Sequence, residues 1–254
     1  MTDNRPFLPK RSVLGDMMDE RTIRARMLLG DEAMEKLKNA HVAVFGLGGV
    51  GSWCAEALAR SGVGRLTLID RDFVGVSNIN RQLCAFDSTV GMSKAEVMRR
   101  RIADISPDCA VRAVCGHYDA EHREDFFADY DYIVDAIDLV SCKVDLIKTA
   151  KERDIPIVSS LGTGNKLDAQ KLCLCDIKKT AGCPLARVVR KELRAVGIEH
   201  LDVVFSPEES LEPMQYEAPP PGRRSVPGSL VWVPASAGML LCQFVVTKLC
   251  GIDG

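Results

Sequence analysis

The sequence predicts an α/β protein: a mostly parallel sheet with helices on both faces and an antiparallel extension toward the C-terminus. Three observations carry this. From about residue 41 to 160, strand-like apolar runs alternate with helical patterns, the arrangement that right-handed crossovers between parallel strands require. The runs are aliphatic, and aromatic residues make up only 6% of the chain, which suits strands covered on both faces. After about residue 165 the alternation gives way to more closely spaced segments, KLCLCDI (171–177), VVF (203–205) and SLVWV (229–233), which read as three further strands.

The elements follow in order. Residues 1–18 read as a loose arm, and ERTIRARMLLGDEAMEKL (20–37) as a short charged helix with three arginines in its first half. HVAVF (41–45) is a buried strand whose glycine-rich turn feeds a helix over 50–61, and RLTLID (65–70) is the next strand. Ser93 with Glu96 has the spacing of a capping box for a helix over 94–105. AVRAVC (110–115), YIVDAID (132–138) and IPIVSS (155–160) are strands, with a helix over 141–153 before the last. Half of the 12 prolines lie in 207–227, PEESLEPMQYEAPPPGRRSVP, so that stretch is expected to be a mobile loop. An apolar helix over about 236–250 closes the chain. With 254 residues, 46% of them apolar, one domain over 1–254 is expected: a nucleotide-binding core over 19–165 and a substrate-side extension over 166–254.

Bulk properties exclude several functions. A net charge of −2 gives no global basic field for nucleic acid. Ten cysteines include no C-x-x-C pair, so neither a tetrahedral zinc site nor a disulfide framework is indicated, and small buried thiols in a reducing compartment are expected. MTDNRPFLPK lacks the apolar run of a signal peptide, and the apolar stretch 238–250 is too short to span a bilayer. A cytoplasmic protein without membrane contact is the expectation.

GLGGVG (46–51) fits G-x-G-x-x-G, follows a strand and opens a helix: Gly46 for the turn, Gly48 for close phosphate approach, Gly51 for helix packing. Asp70 ends the next strand, where a carboxylate can hold ribose hydroxyls. The fold is therefore Rossmann-like, with a nucleotide site. NAD is disfavoured, because no hydride-transfer machinery shows and SNINRQ (77–82) adds Asn78 and Arg81, with Lys94 beyond. Two cations near a phosphate chain suit a triphosphate. VDAID ends a strand with Asp135 and Asp138, and a carboxylate there can hold Mg²⁺ against phosphate oxygens.

GLGGVG, LIDRDFVGVSNINRQ, GMSKAE and VDAID together resemble the adenylating domain of the ubiquitin-activating-like superfamily. The resemblance implies ATP-dependent adenylation of a carboxylate, with ATP and Mg²⁺ bound. It implies a nucleotide-binding set of Gly46, Gly48, Gly49, Gly51, Asp70, Asp72, Asn78, Arg81, Gln82 and Lys94, with Asp138 holding the metal. Arg26, Arg81, Lys94 and Asp138 would be catalytic, Arg26 reaching the phosphates from the N-terminal helix, in many relatives across a homodimer interface. SSLGTGNKLD, VVFSPEE and RRSVPGSLVWVPASAGMLLCQFVV resemble one branch, the tRNA threonylcarbamoyladenosine dehydratases. That branch activates the carboxylate of a threonylcarbamoyl group on tRNA and closes a ring with loss of AMP, which needs neither zinc nor a protein thiol. A sulfur-relay protein is a further candidate partner.

The residues also point toward RNA. Read as a helix, PLARVVRKELRAV (184–196) puts Leu185, Val188, Val189, Leu193 and Val196 on one face and Arg187, Arg190, Lys191 and Arg194 on the other. Those cations are the expected tRNA-phosphate contacts, with Lys178, Lys179, Arg223 and Arg224 as extensions. Three alternatives stay open: activation of a Gly-Gly-ending sulfur-carrier protein with Cys183 as nucleophile, a non-catalytic nucleotide-binding regulator, and an NAD oxidoreductase.

Overall fold

The computed structural model describes residues 20–216, 218–219 and 225–252. The expected N-terminal arm, part of the expected 207–227 loop, and Arg223 and Arg224 lie outside these. Seven strands form one sheet: β1 (His41–Phe45), β2 (Arg65–Ile69), β3 (Ala110–Val114), β4 (Tyr132–Asp135), β5 (Ile157–Ser160), β6 (Cys173–Asp176) and β7 (Asp202–Phe205). Their order is β3-β2-β1-β4-β5-β7-β6, and all neighbours are parallel except β6 and β7. The helices are α1 (Ile23–Asn39), α2 (Gly51–Arg60), α3 (Lys94–Ile105), α4 (Val140–Glu152), α5 (Pro184–Ala195) and α6 (Trp232–Cys250).

Period-2 side-chain alternation splits the core in two, as a doubly covered sheet requires. Val42, Val44, Leu66, Leu68 and Val134 face one layer, where they meet Leu37 of α1, Leu58 of α2, Met98 of α3 and Val245 of α6. Ala43, Phe45, Ile69 and Ile133 face the other, against Leu146 and Ile147 of α4 and Val189 and Leu193 of α5. Strand order reverses direction between β1 and β4. Their carboxyl ends therefore open a crevice, the place where open α/β sheets bind ligands.

Several expectations need correction. SLVWV (229–233) is not a strand: α6 begins at Trp232, and its first bond runs from the Ala235 N–H to the Val231 carbonyl. Pro234 does not stop the helix, because first-turn N–H groups have no intrahelical partner to lose. α6 is thereby 19 residues long and by length and composition alone could cross a bilayer, contrary to the expectation from 238–250. Half of that span is buried, with Val233, Ala237, Leu241 and Val245 in the core, so here it serves as a core helix. The Ser93–Glu96 capping box does not form. Ser93 Oγ is buried without a hydrogen-bond partner among the described residues, and Glu96 is held by Arg99 and Arg100 instead, which lowers its pKa to about 2. Gly30, at φ 82°, interrupts α1.

The described ends of the 207–227 stretch are tethered. Glu208 accepts the Leu167 and Asp168 N–H groups, Lys166 donates to the Glu208 carbonyl, and the Leu211 N–H donates to the Asn165 carbonyl.

Candidate active site

Two glycines make the crevice possible. Gly46 leaves β1 at φ +90°, and a Cβ there would lie 2.7 Å from the Ala136 carbonyl oxygen. A Cβ on Gly51 would sit 1.8 Å from the Gly46 carbonyl oxygen, so only glycine lets α2 start directly over the turn. The resulting cavity of about 390 Å³ is lined by Gly46, Gly48, Gly49, Asp70, Asp72, Arg81, Gln82, Lys94 and Asp138, all among the expected site residues. The lining adds Phe45, Ile69, Arg71, His117, Tyr118 and Leu139; Ile69 and Arg71 fall within the LIDRDFVGVSNINRQ motif but sequence reasoning does not single them out, and no motif marks the other four.

Asp70 directly follows β2, with both carboxylate oxygens engaged. Oδ2 accepts the Leu47 N–H at 2.5 Å and Oδ1 accepts the Asp72 N–H at 2.7 Å, which fixes the group at the lip of the glycine turn. Burial pushes its pKa up, outweighing Lys94 and the two backbone donors, which pull it down. The resemblance assigns Asp70 to the ribose, where an ionised carboxylate accepts from both hydroxyls as well as from the backbone. Nucleotide affinity should therefore fall on acidification at a higher pH than an ordinary aspartate would give, and Asp70→Asn should raise the Kd for ATP about 10- to 100-fold, the worth of a hydrogen bond to a charged group. Calorimetric titration of ATP against pH checks both; affinity that ignores pH and the substitution would remove Asp70 from the ribose.

The loop after β2 folds back on itself to deliver two cations. Phe73 bridges Ser93, the Val74 N–H donates to the Met92 carbonyl, and the Gly91 N–H donates to the Val74 carbonyl. This ladder sets Lys94 at the start of α3, 5% exposed, its Nζ 3.1 Å from an Asp72 carboxylate oxygen. Arg81 follows a 3-10 turn over Val76–Asn78 and donates to the Ser77 carbonyl and to Asn80 Oδ1, both at 2.8 Å, while its own carbonyl accepts the Trp53 indole N–H. Partial burial pulls the Arg81 pKa down, yet a guanidinium stays charged, so a poorly hydrated cation faces the cavity.

Three expected residues are not in the cavity wall. Asn78 accepts the Gly75 N–H on its side-chain oxygen at 3.0 Å, so part of its side chain shapes the loop. Gly51 acts through packing. Arg26 lies on α1 beside Asp31, at 2.9 Å, and does not line the cavity of its own chain. Asp135 is also excluded as a metal ligand. Fully buried, it accepts from Lys143 Nζ and Ser159 Oγ at 2.6 Å each and from the Ile137 N–H at 3.0 Å. It anchors the 136–139 turn that presents Asp138.

Asp138 borders a second lobe of about 330 Å³ that shares Val50, Ala136, Ile137, Thr163, Gly164 and Pro227 with the first. Its own lining includes Ser160, Gly162, Lys166, Cys183, Leu185 and Ser210. Thr163 and Gly164 follow β5, and the rule that ligands gather at strand carboxyl ends could have found them. Cys183 is buried as the N-cap of α5, its Sγ accepting the Ala186 N–H at 3.5 Å. On α5, Arg187, Lys191 and Arg194 are exposed, whereas Arg190 is turned inward onto the Thr180 carbonyl and hydroxyl. Arg190 is thus a strap, and Val188 and Val196, expected on the buried face, are exposed.

ATP and Mg²⁺ fit these residues. A glycine cradle, a ribose-height carboxylate and two cations suit a phosphate chain, and Asp138 needs no companion carboxylates, since Mg²⁺ is commonly held by one or two plus substrate phosphates. Among the described residues no group of three or more His, Cys, Asp or Glu is placed to hold a metal by itself.

A mostly parallel sheet whose switch point carries these groups defines a nucleotide-binding α/β protein built to handle phosphates. The ThiF family profile matches residues 20–252, and the chain belongs to that family. A Bacillus subtilis (strain 168) protein named tRNA threonylcarbamoyladenosine dehydratase is 45% identical over 237 residues, 89% of this chain and 93% of its own length. An Escherichia coli (strain K12) protein of the same name is 39% identical over 210 residues, 79% of this chain and 78% of its own. The solved E. coli tRNA N6-threonylcarbamoyladenosine dehydratase, TcdA, in complex with ATP superposes with a TM-score of 0.82 at 36% identity, covering 91% of this chain and 94% of that one.

Proposed function

We propose that this protein is an ATP-dependent tRNA threonylcarbamoyladenosine dehydratase. The observation that carries this is the two-lobed crevice, a nucleotide lobe joined through Asp138 to a second lobe large enough for an amino-acid-sized group. In the first half-reaction the substrate carboxylate attacks the α-phosphorus of ATP, and pyrophosphate leaves with the electrons of the broken P–O bond. Arg81 and Lys94 are aimed at the charge that builds on the phosphates, and Asp138 would hold Mg²⁺, which supplies further charge neutralisation there. In the second, an atom of the substrate's own carbamoyl group attacks the activated carbonyl carbon and AMP departs. The net change is loss of one water, its oxygen carried away on AMP. Incubation of modified tRNA with the protein, ATP and Mg²⁺ should lower the mass of the modified nucleoside by one water; an unchanged nucleoside would overturn the reading.

The second lobe favours this over activation of a carrier protein. Cys183 lines it, but the thiol is buried and engaged as a helix cap, not presented as a nucleophile. The protein is one adenylating unit that works in the cytoplasm: residues before 166 supply most of the nucleotide lobe and share the substrate lobe with Lys166, Cys183, Leu185 and Ser210. Arg187, Lys191 and Arg194 meet tRNA phosphates. Reversing the charge of Arg187 and Lys191 together should weaken tRNA binding and reduce the slope of log K against log salt by about 2, one for each phosphate left unneutralised. Filter binding over a salt series measures this, and an unchanged slope would remove α5 from the interface.

The active form is a homodimer in which Arg26 acts in trans. Arg26 is outside its own cavity, Met27 and Leu28 beside it are 66% and 88% exposed, and the Arg81 loop exposes Phe73 and Val76. Two such patches meeting would carry Arg26 toward the partner's phosphates. Mixed Arg26→Ala and Arg81→Ala chains should then recover activity that neither variant has alone, because each mixed dimer contains one site with both arginines. Failure of the mixture to exceed either parent would place Arg26 in cis or outside the reaction.

A further inference from the structure

An aromatic and aliphatic rim stands beside the second lobe, and neither the adenylation chemistry nor the basic helix uses it. Leu167, Leu211 and Trp232 are 52%, 49% and 49% exposed. Single exposed apolar residues are ordinary, but these three are gathered and fixed. Trp232 Nε1 donates to the Leu167 carbonyl at 2.7 Å, which sets the indole edge and leaves much of the ring to solvent. The Leu211 N–H donates to the Asn165 carbonyl at 2.9 Å, and Asn165 Oδ1 accepts the Gly228 N–H at 2.7 Å. Two of the three follow lobe-lining residues directly in sequence, Leu167 after Lys166 and Leu211 after Ser210. Asn80, next to Arg81, donates to the Ser229 carbonyl and ties this rim to the nucleotide side.

We propose that the Trp232–Leu167–Leu211 rim is a stacking platform for an unpaired nucleobase that flanks the modified adenosine when the adenosine's side group enters the second lobe. This rests on the dehydratase reading and adds a partner surface to it. Continuity argues for an RNA occupant. Leu167 and Leu211 adjoin lobe-lining residues, so a nucleotide with its side group in the lobe brings its chain neighbours within reach of the rim. Every base has a π-face that an indole accepts without regard to sequence, and single-stranded loops are recognised chiefly in this way. Charge argues likewise: α5 begins at the lobe, to which its first turn supplies Leu185, and it exposes Arg187, Lys191 and Arg194, so the substrate side offers cations for phosphate as well as an indole for a base. The fixed indole loses little freedom on binding, which favours stacking over a mobile ring.

The test is steady-state AMP release with tRNA carrying the modification, for the parent, Trp232→Ala, Trp232→Phe and Leu211→Glu. Trp232→Ala should raise the KM for RNA roughly 5- to 150-fold, the measured range for one base stacked on an aromatic side chain, with kcat and the KM for ATP retained. Trp232→Phe should keep most of the affinity, and Leu211→Glu, which leaves α6 untouched, should raise the same KM. Addition of the RNA to the ATP-saturated parent should quench tryptophan fluorescence, and Trp232→Phe should lose that quench. Unchanged KM in both Trp232→Ala and Leu211→Glu would overturn the platform while leaving the dehydratase reading in place. So would loss of self-association in Trp232→Ala, which would assign the rim to a second copy of the chain. A parent that releases no AMP with the modified RNA would overturn the dehydratase reading itself and this inference with it.

Discussion

Lys143→Met should destabilise the protein by about 3–5 kcal/mol, the cost of leaving one member of a buried ion pair alone. Lys143 and Asp135 are both 0% exposed, and the ammonium divides its donors between Asp135 Oδ2 at 2.6 Å and the Ser160 carbonyl at 2.9 Å. Removing it strands a carboxylate at the end of β4 with only Ser159 and the Ile137 N–H, and strands the Ser160 carbonyl as well. Against a total stability of typically about 5–15 kcal/mol, that loss is large. Because the pair joins β4, α4 and β5 directly beneath the 136–139 turn, activity should fall with stability. The paired change Asp135→Asn with Lys143→Met should recover part of the loss by deleting both charges. Urea unfolding of the three proteins checks this; a single variant as stable as the parent would show that the pair is dispensable.

Lys94→Met should lower the rate of adenylation about 10²–10³-fold, the usual effect of removing one preorganised donor aimed at developing charge. The fold should survive, because Asp72, the ion-pair partner left behind, is half-exposed, and buried Asp70, which loses the charge of Lys94, keeps its two backbone N–H donors. The loss should fall on kcat more than on the KM for ATP, as expected for an interaction that strengthens in the transition state. Pyrophosphate release under saturating ATP measures it. A variant with parental kcat and weakened ATP binding would make Lys94 a ground-state anchor only.

These two lysines mark the limits of what the sequence disclosed. Lys94 was legible because it sits in a run of motifs whose order and spacing survive in one dimension. Lys143 carries no motif, and a lysine in a helix is ordinarily a solvated charge; only the sheet order brings it under Asp135. The strands were legible where short aliphatic runs ended in small or polar residues, and β1 through β7 lie where the pattern put them, within a few residues. SLVWV failed because a short β-branched run is equally at home in the first turn of a buried helix, and the following proline is harmless there. The capping box failed because Arg99 and Arg100 compete for Glu96 three and four residues away. Arg190 reads as one more cation on a polar helix face until the Thr180 turn closes over it.

The most direct test is ATP turnover to AMP and pyrophosphate with tRNA that carries the threonylcarbamoyl group and with the same tRNA lacking it. AMP should appear only with the modified tRNA, in step with loss of water from the nucleoside. AMP release that does not depend on the modification, or none with either tRNA, would contradict the assignment of that carboxylate as the group this crevice activates.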